Sequence, residues 1–246
     1  VSEPDSRVVS RRIDVPEAGS VSGLLMKPDD ATSLLVFAHG AGAGMGHPFM
    51  ETVALALAER RVATLRYQFP YMEAGRRAPD RSPRLLATVW AAVVVAGQLA
   101  GELPVFAGGK SMGGRMTSMA AAELQLPGVR GLIFFGFPLH GSGKTPSTER
   151  GTHLADVELP MLFLQGTRDR LADLSLLRPL VAEIRPAATL HVVDGADHGF
   201  HVLKRSGRTD QDVIDELAEA TARWANASPS RESPGSTPRV HPSHAR

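Results

Sequence analysis

The chain has 246 residues, 43% of them hydrophobic and 22% charged, which is ample material for one packed α/β domain and excludes a globally disordered polymer. Its 27 Lys+Arg against 26 Asp+Glu leave a net charge of +1, a balance that argues against nucleic-acid or anionic-membrane partners. Cysteine is absent, so disulfides, a thiolate nucleophile and cysteine-ligated metals are excluded, and a cytoplasmic setting is expected.

The first 19 residues carry charge but no apolar core of the length a secretory signal needs, and they read as an N-terminal extension. "GSVSGLLMKP" and "SLLVFAHG" read as strands, the second a continuous apolar run suited to a sheet buried on both faces. "HPFMETVALALAERR" follows as a helix with Pro48 in its first turn. "RVATLRYQF" is the next strand, and "MEAGRRAPDRSPR" a polar loop. "LLATVWAAVVVAGQLAG" is Ala-rich and falls just short of a membrane span, so a buried helix is expected there.

Beyond it lie a strand "LPVFAGG", a helix "MGGRMTSMAAAEL" and a strand "VRGLIFFGFPL". The strand "LPMLFLQG", the helix "LADLSLLRPLVAEI", the strand "ATLHVVDG" and the amphipathic helix "TDQDVIDELAEATARWAN" complete the pattern. This alternation predicts one doubly wound, mostly parallel sheet with helices on both faces over residues 20–226. Residues 227–246 are rich in Ser, Pro and Arg and read as a disordered tail.

One stretch, "AGGKSMGGR" over residues 107–115, fits two motifs. A phosphate-binding loop requires G-x-x-x-x-G-K-[ST], but the first of those glycines would fall on Pro104. A dinucleotide fingerprint fails as well, because Gly40, Gly42, Gly44 and Gly46 alternate and never reach the third required spacing. The remaining motif is the nucleophile elbow G-x-S-x-G, with Ser111 between Gly109 and Gly113 on a strand-to-helix turn.

The elbow calls for an acid and then a histidine downstream, each at the carboxyl edge of the sheet. "TRDRLAD" places Asp169 after one strand and "ADHGFH" places His198 after the next. Asp173 is a rival for the acid, as are His191 and His201 for the histidine. Backbone amides of Met112, which follows the nucleophile, and of Ala41 in "FAHGAGAG" are the expected oxyanion donors.

"AHGAGAG", "GGKSMGGR", "LQGTRDRLAD" and "GADHGF" together resemble the α/β-hydrolase superfamily, specifically its small lidless members similar to dienelactone hydrolases. The resemblance covers about residues 20–225. It implies an α/β-hydrolase fold and a serine hydrolase acting on esters or thioesters of small to medium acyl groups. Dienelactone hydrolases proper carry cysteine where this chain has Ser111. No metal and no organic cofactor is implied, and the partner expected is a small-molecule acyl substrate.

The 19 residues from His140 to Glu158 are too few for a helical lid. Met45, Tyr67, Phe69, Phe137 and Leu139 are candidates for an acyl pocket, while Lys110 and Arg115 are expected to point to solvent or to pair with a carboxylate. A catalytically silent binding module, or a peptidase or acyltransferase using the same three residues, are the alternative readings.

Overall fold

The computed structural model describes residues 8–184 and 188–227. The tail expected at 227–246 lies, apart from its first residue, outside the described residues. Eight strands form one sheet in the order β1-β2-β4-β3-β5-β6-β7-β8. These are β1 (Val8–Val15), β2 (Gly19–Met26), β3 (Ser33–Ala38), β4 (Val62–Tyr67), β5 (Val105–Lys110), β6 (Val129–Phe135), β7 (Met161–Gly166) and β8 (Ala188–Val193). β1 and β2 pair antiparallel, β2 pairs antiparallel with β4, and every pairing from β4 through β8 is parallel.

The helices are α1 (Pro48–Ala58), α2 (Pro70–Glu73), α3 (Ser82–Ala100), α4 (Met112–Leu124), α5 (Leu174–Glu183) and α6 (Asp210–Ala227), with a 3-10 helix at Glu149–Asp156. The two-residue period of a strand divides the core between the faces of the sheet. Leu34, Val36 and Ala38 of β3 join Phe134, Phe163 and the helices α3, α4 and α5 on one side. Leu35 and Phe37 join Phe135, Leu164 and the helices α1 and α6 on the other. Each fully buried Leu or Phe contributes roughly 1.5–3 kcal/mol, so the run "SLLVFA" serves both cores at once.

Part of the expected N-terminal extension is built into the sheet: Val8–Val15 is β1. Ile13 and Val15 point inward while Arg12 faces out, where its guanidinium meets Glu73 at 2.7 Å. Only two residues of this strand are fully buried, and charged residues are how edge strands avoid further pairing. The alternation was therefore too faint to read. α3 is the one helix among the described residues long and apolar enough to cross a bilayer, yet half of it is packed inside the fold.

Candidate active site

Ser111 follows β5 directly and caps α4 with φ +52° and ψ −115°. A positive φ is strained for a residue with a Cβ. The strain follows from a strand turning at once into a helix, and it lifts the hydroxyl out of the sheet edge. The flanking glycines make the turn possible by their size. A Cβ on Gly109 would lie 2.5 Å from the Ala38 carbonyl oxygen, and one on Gly113 would lie 2.4 Å from the same atom and 2.6 Å from that of His39. Those neighbours are backbone and cannot swing aside.

Gly113→Ala is accordingly expected to lower stability by about 3 kcal/mol, the upper part of the usual range for overpacking. Gly97→Ala, on the exposed side of α3 with nothing within 4 Å of the added methyl, is expected to raise it by about 0.5–1 kcal/mol. Urea midpoints of the two variants measure both effects.

Asp169 follows β7 and His198 follows β8, so three parallel strands deliver their side chains to one edge. His198 Nδ1–H donates to Asp169 Oδ2 at 2.7 Å, and its Nε2 faces Ser111 Oγ at 2.8 Å. The Asp169 side chain is 1% exposed and that of His198 is 27% exposed. The carboxylate is thus sheltered while the imidazole opens to the cavity. Two further groups lock the acid: Gln165 Nε2 donates to Oδ2 at 2.6 Å and the Leu171 amide donates to Oδ1 at 2.8 Å. Gln165 cannot rotate, because its Oε1 accepts from the Phe137 amide.

The rival residues are engaged elsewhere. Asp173 caps α5 by accepting from the Ser175 amide. His191 pairs with Glu216, and His201 pairs with Asp210. A second Ser/His contact, Ser118 Oγ to His153 Nε2 at 2.7 Å, has the opposite polarity. The Ser118 hydroxyl donates to the Arg115 carbonyl and is fully buried, so it accepts from His153 and has no proton to give it.

Ala41 lies in the loop after β3, and Met112 begins α4, where first-turn amides lack intrahelical acceptors. Neither amide has a protein acceptor among the described residues. The loop is held from behind by His39, whose Nδ1–H donates to the Gly40 carbonyl at 2.7 Å while Nε2 accepts from the Phe69 amide at 3.1 Å. Tyr71 Oη accepts from the Gly42 amide, and Gln68 Oε1 from that of Met45. The sequence reading missed His39 and Gln165. The histidine of "AHG" was a visible signal; the glutamine had none.

His39 has no exposed surface, and burial pushes its pKa down to about 4. The unfolded chain then binds the extra proton between pH 6.5 and about 4, so this neutral histidine's contribution is complete above pH 6.5 and is lost as the pH falls through that window. The loss is on the order of 3 kcal/mol. Urea midpoints at pH 7 and pH 5 should fall more in the wild type than in His39→Gln.

The cavity beside Ser111 has a volume of about 710 Å³. Ala41, Phe49, Met50, Phe200 and Ile214 give it apolar walls, and Ser111, His198, His47, His201, Asp210 and Gln211 are among its polar residues. It therefore opens toward α1 and α6. This corrects the expected acyl pocket. Tyr67, Phe69, Phe137 and Leu139 have no exposed surface and belong to the core on the α3/α4 face. Met45 is half-buried and does not line the cavity.

Lys110 also departs from expectation. Its ammonium donates to the His198 carbonyl and lies 5.7 Å and 5.3 Å from the ring centroids of Phe49 and Phe200. Burial pushes its pKa down to about 8, against the opposing pull of Asp169 and Asp197.

Residues 31–226 match the alpha/beta hydrolase domain family. The chain belongs to the α/β-hydrolase family. Among solved structures, this hydrolase is similar to a dienelactone hydrolase from Anabaena variabilis at 21% identity and a TM-score of 0.70, covering 88% of this chain and 95% of that one. It is similar to a serine hydrolase without lid from Xanthomonas campestris at 18% identity and a TM-score of 0.68, covering 93% and 100%. A cold-adapted esterase from an Arctic intertidal metagenomic library shares 18% identity at a TM-score of 0.64, covering 90% and 96%. At these identities the likeness is one of fold, and within it this α/β hydrolase falls among lidless, dienelactone-hydrolase-like structures.

Proposed function

We propose that the protein is a serine hydrolase of carboxylic esters or thioesters with small to medium acyl groups, acting through Ser111, His198 and Asp169. The observation that carries this reading is the hydrogen-bonded chain Asp169–His198–Ser111, ending on a strained serine at the wall of an apolar cavity. In the proposed mechanism Ser111 Oγ attacks the acyl carbonyl as its proton passes to His198 Nε2. Asp169 keeps the other imidazole proton on Nδ1 and stabilises the imidazolium that results. The Ala41 and Met112 amides stabilise the oxyanion, each donor contributing roughly 2.7–4 kcal/mol at the transition state.

His198 then returns the proton to the leaving alcohol or thiol, and water repeats the cycle on the acyl-enzyme. The cavity is large enough for a medium apolar group, and the esterase and the dienelactone hydrolase among the structural neighbours point the same way. A cytoplasmic location is proposed on the absence of cysteine. The decisive experiment is labelling by a fluorophosphonate probe together with turnover of p-nitrophenyl butyrate, each compared with Ser111→Ala. Labelling that survives in the variant overturns the assignment.

A further inference from the structure

A second hollow, of about 620 Å³, lies on the α4 side of the sheet edge. Arg115, Lys144 and Arg150 line it together with His140, Thr145 and Ser147, and Glu149 is its one carboxylate. No salt bridge reaches any of these three cations among the described residues. The Arg115 Nε is buried without a hydrogen-bond acceptor. Arg150 is held in place by donating to the His140 carbonyl at 3.2 Å, over Gly141, where a Cβ would come within 3.2 Å of its Nη2.

We propose that this hollow binds an anionic group of the substrate, a carboxylate or phosphate, while the ester carbonyl sits at Ser111 and the apolar part fills the α1/α6 cavity. The assignment rests on the serine-hydrolase reading above and names its substrate class. A buried guanidinium donor without an acceptor is a net penalty that a protein seldom retains unless something supplies the acceptor. Carboxylate and phosphate oxygens match the guanidinium fork.

Burial first, then Arg150, push the Arg115 guanidinium below its ordinary range, and Glu149 only partly offsets them. An anion between the two relieves both effects. The hollow shares no lining residue with the Ser111 cavity, but Arg115 stands on the helix that Ser111 begins. Arg115 is four residues after Ser111, one helical turn, so their Cα atoms are about 6 Å apart. Helical side chains lean toward the N-terminus, which here means toward the nucleophile.

The test compares kcat/KM on the p-nitrophenyl half-ester of glutaric acid with that on neutral p-nitrophenyl butyrate, in the wild type, Arg115→Gln and Arg150→Gln. The wild type should favour the half-ester by about tenfold or more, and each variant should lower that ratio by about tenfold, the effect of one charge-assisted hydrogen bond. Taking the ratio cancels any loss of folded enzyme. A wild-type ratio near one, or a ratio unmoved by both variants, overturns the proposal.

Inorganic phosphate and free glutarate provide the second arm. If they inhibit butyrate hydrolysis through Arg115 while the half-ester gains nothing, the hollow serves a free anion and the substrate assignment falls. If neither ester is turned over, the hydrolase reading fails on its own. Calorimetric titration of wild type and Arg115→Gln with glutarate then decides the site: heat that depends on Arg115 supports it, and no heat, or equal heat, overturns it.

Discussion

Ser111→Ala is expected to lower turnover of p-nitrophenyl butyrate by roughly four orders of magnitude or more and to abolish fluorophosphonate labelling. The change removes one oxygen from a residue whose backbone is already at φ +52°. Alanine at that position bears the same Cβ in the same strained turn, so the fold should survive. Circular dichroism and the urea midpoint are the controls. What remains in the variant is rate enhancement from binding and the oxyanion amides, which needs no nucleophile. Residual activity near the wild-type level would move the chemistry to another residue, and Ser118 is not available for it because its proton is committed to the Arg115 carbonyl.

Asp169→Asn is expected to cost about 10⁴-fold in kcat with little effect on the fold. Asp169 Oδ1 accepts from the Leu171 amide, while Oδ2 accepts from both Gln165 and His198. An asparagine that keeps its oxygen on the Leu171 amide turns its NH₂ toward His198 Nδ1. The imidazole must then carry its proton on Nε2, facing Ser111, and cannot take another. In that orientation the NH₂ also faces the Gln165 Nε2–H, which cannot flip because Phe137 holds its Oε1. The reverse orientation sets NH₂ against the Leu171 N–H, so either way the acceptor pattern of the acid is lost.

A loss confined to KM would contradict this account. The pH-rate profile gives a further check, since the variant's remaining activity should rise toward alkaline pH, where hydroxide can replace the missing base.

Much of the fold and site was legible in the chain itself. The central strands β3 and β7 are nearly continuous apolar runs because both faces of the sheet are covered there, and only a two-sided core requires such runs. The elbow was legible because Gly109 and Gly113 are forced by contacts with backbone atoms of β3, so a tertiary constraint had left a local signature. Asp169 and His198 could be chosen because the sheet edge is defined by where each apolar run stops.

The errors share one cause. Tyr67, Phe69, Phe137 and Leu139 adjoin strand ends in sequence, but adjacency does not say which face a side chain takes after the strand turns. All four entered the core instead, where Phe137 packs against Phe134 and Phe163. The cavity is walled by α1 and α6, elements far apart in the chain that meet only after the sheet has formed.

The sequence by itself determined the fold class, the strained elbow at Ser111 and the strand ends that carry Asp169 and His198, because each of these leaves a mark within a few residues. Only the tertiary structure decided the rest. Gln165 held by the Phe137 amide, His39 accepting from the Phe69 amide and Lys110 turned inward to the His198 carbonyl all depend on partners tens of residues away, and the Arg115 Nε is left buried without one. A buried polar group is defined by its partner, and no local pattern records where that partner will be.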